Sequence, residues 1–366
     1  MMQEDNNMEN KQTVSCRRKN VKWLLSCVAF LCVVALLVVS LGDVFMEKAG
    51  SGNVISIYDK DAKYDVVFVG TSHVVSGVYP MEMWESHGLA SYNYAQVGQP
   101  FGITYHYARE AIEVARPKLI VCDLYYIYLR DRLQGSTSFK HQSLDNMRFF
   151  SLNRLKAIYE TLPAGEWGNF IFPFFSFHSR WDALKQADFT TPNTVTKGAA
   201  QEFSMAEQSF EQFVPIDSAD MKKPKAYAVE YIDRLMALCE RTGTQLLFTV
   251  IPYYPVGEEQ GRDLEDDQRY FNWVTDYVES KGYDCLNMLY CYDEMGFDPA
   301  QHMREWNHCN YWGGVVVSRY LAEYIQQHYD IPNRAGQEGY EQWDKDMKAY
   351  DAWRKKQLDA FEKNND

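Results

Sequence analysis

The sequence predicts an α/β fold, a doubly wound parallel sheet that follows one apolar N-terminal helix. Three observations predict it. Apolar runs of strand length stand at 65–69 (DVVFV), 91–95 (SYNYA), 118–124 (KLIVCDL), 244–251 (TQLLFTVI) and 283–288 (YDCLNM). Helical patterns fill the intervals, near 80–88, 102–115, 222–242 and 264–281, and a last one covers 311–328. Ahead of all of them, Trp23 to Gly42 (WLLSCVAFLCVVALLVVSLG) carries no charge over twenty residues. Near-continuous apolar strands separated by helices are what a parallel sheet covered on both faces requires.

Taken in order, residues 1–22 are a polar tail with Lys11, Arg17, Arg18, Lys19 and Lys22. Residues 23–42 are long enough, at about 1.5 Å per residue, to cross a hydrocarbon core of roughly 30 Å. Basic residues before the run, with Asp43 and Glu47 after it, predict a cytoplasmic N-terminus and an extracytoplasmic remainder. A cleaved signal peptide is the competing reading, but the run is long and no clear small-residue cleavage site follows it. Residues 43–60 read as a linker and 61–330 as the α/β domain. Within it, 135–215 is an aromatic, Pro-containing insertion too long for a plain connection, expected to be largely helical. Residues 331–366 read as an amphipathic helix, with Tyr340, Trp343, Met347, Tyr350 and Phe361 on one stripe. It is expected to pack on its own domain, or else on a partner.

The chain carries a net charge of −13, and residues 1–22 contribute +2, which leaves −15 beyond them. So acidic an ectodomain argues against nucleic acid as a partner. The five cysteines that follow the apolar run (Cys122, Cys239, Cys285, Cys291, Cys309) are odd in number and irregular in spacing, so neither a disulfide framework nor a zinc site is indicated. A Cys285–Cys291 pairing is left open.

In a parallel α/β sheet, functional groups collect beyond the carboxyl ends of the strands. Gly70-Thr71-Ser72-His73 stands there, directly after the first strand. A serine on such a turn can present its hydroxyl as a nucleophile; equally, Ser72 can be a helix N-cap, or the turn can hold a phosphate. Near the other end, REWNHCNYWGG places Glu305 three residues before His308, ahead of the last helix of the domain. A serine nucleophile needs a base, and a base histidine needs an acceptor on its second nitrogen. The alternative for His308 is to cap the helix that follows. His73 sits beside the serine as a substrate contact or a structural hydrogen-bonding group. His178, Arg180 and Trp181 (HSRW) bring a cation and an aromatic face together in the insertion, suited to a sugar or phosphate or to a capped loop.

With VFVGTSH, SYNYAQVGQP, PKLIVCDLYY and NHCNYWGG in view, the chain resembles the SGNH, or GDSL-like, hydrolase superfamily. With the N-terminal apolar run, the pattern looks like the membrane-anchored, extracytoplasmic branch that includes the teichoic-acid D-alanyl transfer protein and alginate O-acetylation proteins. The resemblance covers most of residues 60–330 and implies a flavodoxin-like sheet with Ser72 as nucleophile, His308 as base and Glu305 as the acid partner. It also implies a glycine amide in the oxyanion hole, here Gly98, beside the Ser72 amide. Two departures stand out: Glu305 occupies the place of an aspartate, and CDLYYIYLRD lacks the family's asparagine after the third strand, where Tyr125 is the substitute donor.

The implied function is an extracytoplasmic serine acyltransferase or esterase acting on a cell-surface polysaccharide or teichoic-acid-like polymer. It would need no metal or organic cofactor, and a membrane-bound O-acyltransferase would be the acyl-donating partner. The alternative from another class is a catalytically silent scaffold or polymer-binding protein with the same fold.

Overall fold

The computed structural model describes residues 2–45, 55–59, 62–129, 131, 133–149, 151–189, 195–259 and 262–365. Most of the 43–60 linker lies outside them. The chain forms two compact units, Met1–Glu47 with Gly168–Thr190 and Lys48–Trp167 with Thr191–Asp366.

The first unit is built on the helix Met2–Phe45. Its apolar window, Asn20–Leu41, has none of its length buried in protein, and among the described residues it is the one helix long and apolar enough to cross a membrane. The short helix Phe174–Phe177 and the 3-10 turn His178–Asp182 pack against the same long helix.

In the second unit all five apolar runs are strands of one parallel sheet: β1 (Val66–Val69), β2 (Ser91–Asn93), β3 (Leu119–Asp123), β4 (Gln245–Val250) and β5 (Asp284–Asn287), in spatial order β2-β1-β3-β4-β5. Val67 pairs with Tyr92 on one side and Ile120 on the other, and Ile120 continues to Leu246. β1 to β3 are buried throughout, and β1 and β3 accordingly read as near-continuous apolar runs, whereas β2 alternates polar and aromatic residues and buries Ser91 and Asn93 as well.

The connection from β1 leads outward to β2, whereas that from β2 returns past β1 to β3. Right-handed crossovers therefore put their helices on opposite faces. Accordingly Pro80–His87 packs on Tyr311–His328, and Phe101–Val114 packs on Ala226–Thr242.

The tail helix Glu341–Asn365 packs on its own unit, the first of the two readings given above. Trp343 stacks on Trp84 at 4.9 Å. Deeper in, the fully buried Glu82 carboxylate accepts from Tyr350 Oη (2.9 Å) and Arg354 (2.9 Å) of the tail and from Arg319 (3.0 Å). A buried carboxylate is tolerated only with such partners, so the tail both fills an aromatic groove and neutralises a charge.

Among its described residues the insertion is helical within 137–189, through Thr137–Asp145, Leu152–Thr161 and shorter turns. From Ala199 to Lys225 the chain has neither helix nor strand, a correction to the largely helical expectation. Pro215, Asp217, Ser218 and Pro224 favour turns there and interrupt helical hydrogen bonding. Cys285 and Cys291 are both free, and Cys285 Sγ lies 3.3 Å from Thr275 Oγ1 instead.

Candidate functional site

The strand order reverses between β1 and β3, the crossovers on either side of that point running in opposite directions, so a crevice opens beyond the carboxyl end of β1. Gly70 is required there by close approach: a Cβ would lie 2.6 Å from Val74 Cγ2 and 2.7 Å from Asp123 Cβ. Thr71 caps the helix Ser72–Gly77, its Oγ1 accepting from the Ser72 amide. The cap is thus Thr71, and the Ser72 hydroxyl is not used for it. Ser72 Oγ lies 3.3 Å from Thr71 Oγ1. Asn93 of β2 ties the helix down by donating to the carbonyls of Val74 (2.7 Å) and Val78 (2.9 Å).

The histidine arrives on a hairpin, β6 (Met303–Glu305) and β7 (His308–Cys309), in which Glu305 and His308 are cross-strand partners. That register puts the two side chains together, and His308 Nδ1 bonds Glu305 Oε1 at 2.8 Å. Glutamate's extra methylene is accommodated without loss of the contact. The hydrogen bond to His308, followed by the charges of His308 and Arg304, holds the Glu305 carboxyl below its ordinary value, so it is ionised at neutral pH.

His308 does not cap the following helix. Asn310 does, accepting from the Gly313 amide at 3.0 Å while its Nδ2 donates to the Gln301 carbonyl at 2.8 Å. His308 Nε2 is buried and has no hydrogen-bond partner. The helix Ser72–Gly77 packs directly against β7.

Between the two segments lies His73, whose ring stacks on Tyr125 at 3.6 Å and meets the His308 ring edge-on at 5.4 Å. Both His73 nitrogens are buried without partners; this histidine is not the structural hydrogen-bonding group of the second sequence reading. Burial, then the charges of His308 and Arg262, push its pKa well below the ordinary histidine value, so the ring is neutral. Tyr125 is also buried, and its hydroxyl accepts from Arg262 Nη2 at 3.4 Å, which leaves the phenolic proton available to donate.

Gly98 sits in the loop after β2 with φ +64, a left-handed conformation that suits glycine. A Cβ there would also strike the Phe139 ring at 2.2 Å. The loop is joined to the serine turn by a bond from the Gln96 amide to the Gly70 carbonyl at 3.3 Å. Two expectations about donors and ligands change. The Ser72 amide is engaged by Thr71 Oγ1, and Arg180 belongs to the first unit, where it pairs with Asp188 at 3.1 Å and donates to the Phe45 carbonyl. The structure thus brings Glu305, His308, His73 and Tyr125 together, with Ser72 on the adjoining turn. No hydrogen bond joins Ser72 to His308.

Two groups were not anticipated. Arg262 ion-pairs with Asp267 at 2.7 Å and lies over the Tyr128 ring at 3.8 Å, which holds it beside Tyr125. Asp123 ends β3 against Gly70, its carboxylate accepting from the amides of Ile251 (3.4 Å) and Tyr125 (3.4 Å). The signal for Asp123 was an acid closing an otherwise apolar strand; Arg262 left none.

Burial outweighs those amide bonds and raises the Asp123 pKa to about 7. An unfolded aspartate releases its proton near pH ~4, so between these values the folded state binds more proton and stability falls as pH rises. Asp123→Asn keeps an acceptor for the amides and removes the titration. Relative to this variant, the wild type is expected to lose on the order of 4 kcal/mol between pH 4 and about 8. Urea titrations of the detergent-solubilised protein measure it, and parallel pH profiles for the two proteins would contradict a proton on buried Asp123.

Comparison of the chain with protein-family models and with curated proteins returns no match.

Proposed function

We propose that this chain is a membrane-anchored, extracytoplasmic serine acyltransferase or esterase of the SGNH type, acting on acyl esters of a cell-surface carbohydrate polymer. The observation that carries the reading is His308: Nδ1 is fixed on an ionised Glu305, and Nε2 is buried, unpartnered and beside the helix that begins at Ser72. A donated Nδ1–H leaves the Nε2 lone pair as a base. The strand order β2-β1-β3-β4-β5, with the serine turn at its switch point, also supports the flavodoxin-like assignment.

In this mechanism Ser72 Oγ attacks the acyl carbonyl as His308 Nε2 takes its proton. The bond from the carbonyl to the leaving sugar oxygen breaks, and His308 returns the proton to that oxygen. A second hydroxyl or water then attacks the acyl-serine by the reverse route. Gly98 and Tyr125, with the neutral His73, supply donors for the oxyanion. The Ser72–His308 bond forms with substrate in place, since such contacts are often long in ligand-free sites. In the transfer direction the acyl group is supplied by a membrane-bound O-acyltransferase partner, whose donor group leaves with the proton from His308 in place of the sugar oxygen. A hydroxyl of the polysaccharide or teichoic-acid-like chain then attacks the acyl-serine.

A fluorophosphonate probe tests the reading. It is expected to label Ser72, with labelling lost in Ser72→Ala and greatly slowed in His308→Ala. An unlabelled Ser72 in folded protein would favour the scaffold reading instead, in keeping with a hydroxyl whose neighbour is Thr71.

A further inference from the structure

The apolar helix does not stand alone in its unit, because residues 168–190 fold against its carboxyl-terminal end. The Phe45 and Phe174 rings meet edge-on at 5.8 Å, and Arg180 donates to the Phe45 carbonyl. Asp188 holds that guanidinium from the other side at 3.1 Å and accepts from the Lys185 amide at 2.7 Å. The segment is therefore fastened to the last turn of the helix by an aromatic contact and a charged clasp.

What it presents outward is amphipathic, with large apolar side chains beside exposed His178, Ser179, Asp182, Lys185 and Gln186. Phe172 is 40% exposed, Phe175 55%, Trp181 70% and Phe189 62%. Four large apolar side chains exposed within one short segment are not what a water-facing surface carries. Their position supplies the explanation. The apolar window ends at Leu41, so Phe45, four residues on, lies about 6 Å further along the axis. That distance falls within the headgroup zone of a bilayer whose hydrocarbon ends at the window, and Trp and Phe are favoured there.

We infer that residues 172–189 form a second membrane-contacting element, an aromatic foot that lies in the lipid interface beside the span. The occupant of the exposed face is lipid. The inference rests on the reading of Asn20–Leu41 as a membrane span and is independent of any activity at Ser72. It would also give the peptide after Leu41 a fixed bearing on the bilayer surface, because the Arg180 clasp joins the foot to the helix.

The test uses the full chain in vesicles of phosphatidylcholine and phosphatidylglycerol, with benzoylphenylalanine in place of Phe175, of Trp181 or, as a reference inside the span, of Phe30. After irradiation, mass spectrometry of the peptides identifies what each position touched. Lipid adducts are expected at 175 and 181 as well as at 30, and the use of two foot positions guards against one substitution disturbing the turn. Adducts at 30 alone would overturn the aromatic foot, as would crosslinks from 175 and 181 to a second copy of the chain or to another protein. Lipid adducts at none of the three would remove the span itself, and the foot with it.

Discussion

Ser72→Ala is expected to abolish acyl transfer and hydrolysis, by on the order of 10³-fold or more, in a protein that unfolds like the wild type. His308→Ala should do the same, and the double variant should be hardly worse than either, because a nucleophile and its base act as one unit. The stability side follows from the contacts: the Ser72 hydroxyl has a 3.3 Å neighbour in Thr71 and takes no part in capping the helix, so its loss costs at most about 1 kcal/mol. Glu305→Gln should retain more activity, since the amide keeps an acceptor for His308 Nδ1 but stabilises the imidazolium less. Turnover is followed on acylated carbohydrate with the protein in detergent, and urea titration serves as the folding control. Near-normal turnover in Ser72→Ala would remove the serine from the chemistry.

Much of this arrangement was legible in the chain. β1, β3 and β4 were the most readable strands, because they are buried almost throughout and carry few polar residues, whereas β5 is exposed at Asp284 and gave the weakest run. The order of the strands in the sheet was not readable from the runs, because right-handed crossovers fix the face on which each helix lies but not which strands become neighbours. At the site, sequence spacing placed Glu305 and His308 within reach because they sit three residues apart on one hairpin. It could not decide between catalytic and capping roles for Ser72 and His308. The structure removes the capping roles, because Thr71 and Asn310 take over the two caps.

What the sequence hid depends on distant segments meeting. Arg262 reaches Tyr125 across 137 positions, and neither residue bears a mark of the other. Asp123 looked like the polar end of a strand, yet its titration is set by burial against Gly70. The division of the insertion was hidden for the same reason: residues 168–190 read like the rest of an aromatic segment, and only their contacts with Phe45 assign them to the apolar helix.

Gly313→Ala should unfold at markedly lower denaturant and lose activity with it, although alanine is the better helix former by about 1 kcal/mol. The sign of the change is therefore diagnostic. Gly313 lies in the first turn of the helix Tyr311–His328, and a Cβ there would sit 2.0 Å from the His302 carbonyl oxygen and 2.9 Å from its carbon. That carbonyl cannot swing aside, because it accepts from the Asn310 amide at 3.0 Å, and Asn310 in turn holds the Gly313 amide. Relief requires the helix to retreat from the segment just before β6, which carries the Asn310 cap and the β6/β7 hairpin with it. A forced overpacking of this kind costs about 3 kcal/mol, enough to exceed the propensity gain, and it displaces His308 from the helix of Ser72. Gly165→Ala is the matched control, since a Cβ at that position would meet nothing within 4 Å, and its expected change is within about 0.5 kcal/mol. Equal midpoints for the two variants in urea would mean that helix and hairpin do not approach as closely as the Gly313–His302 contact requires.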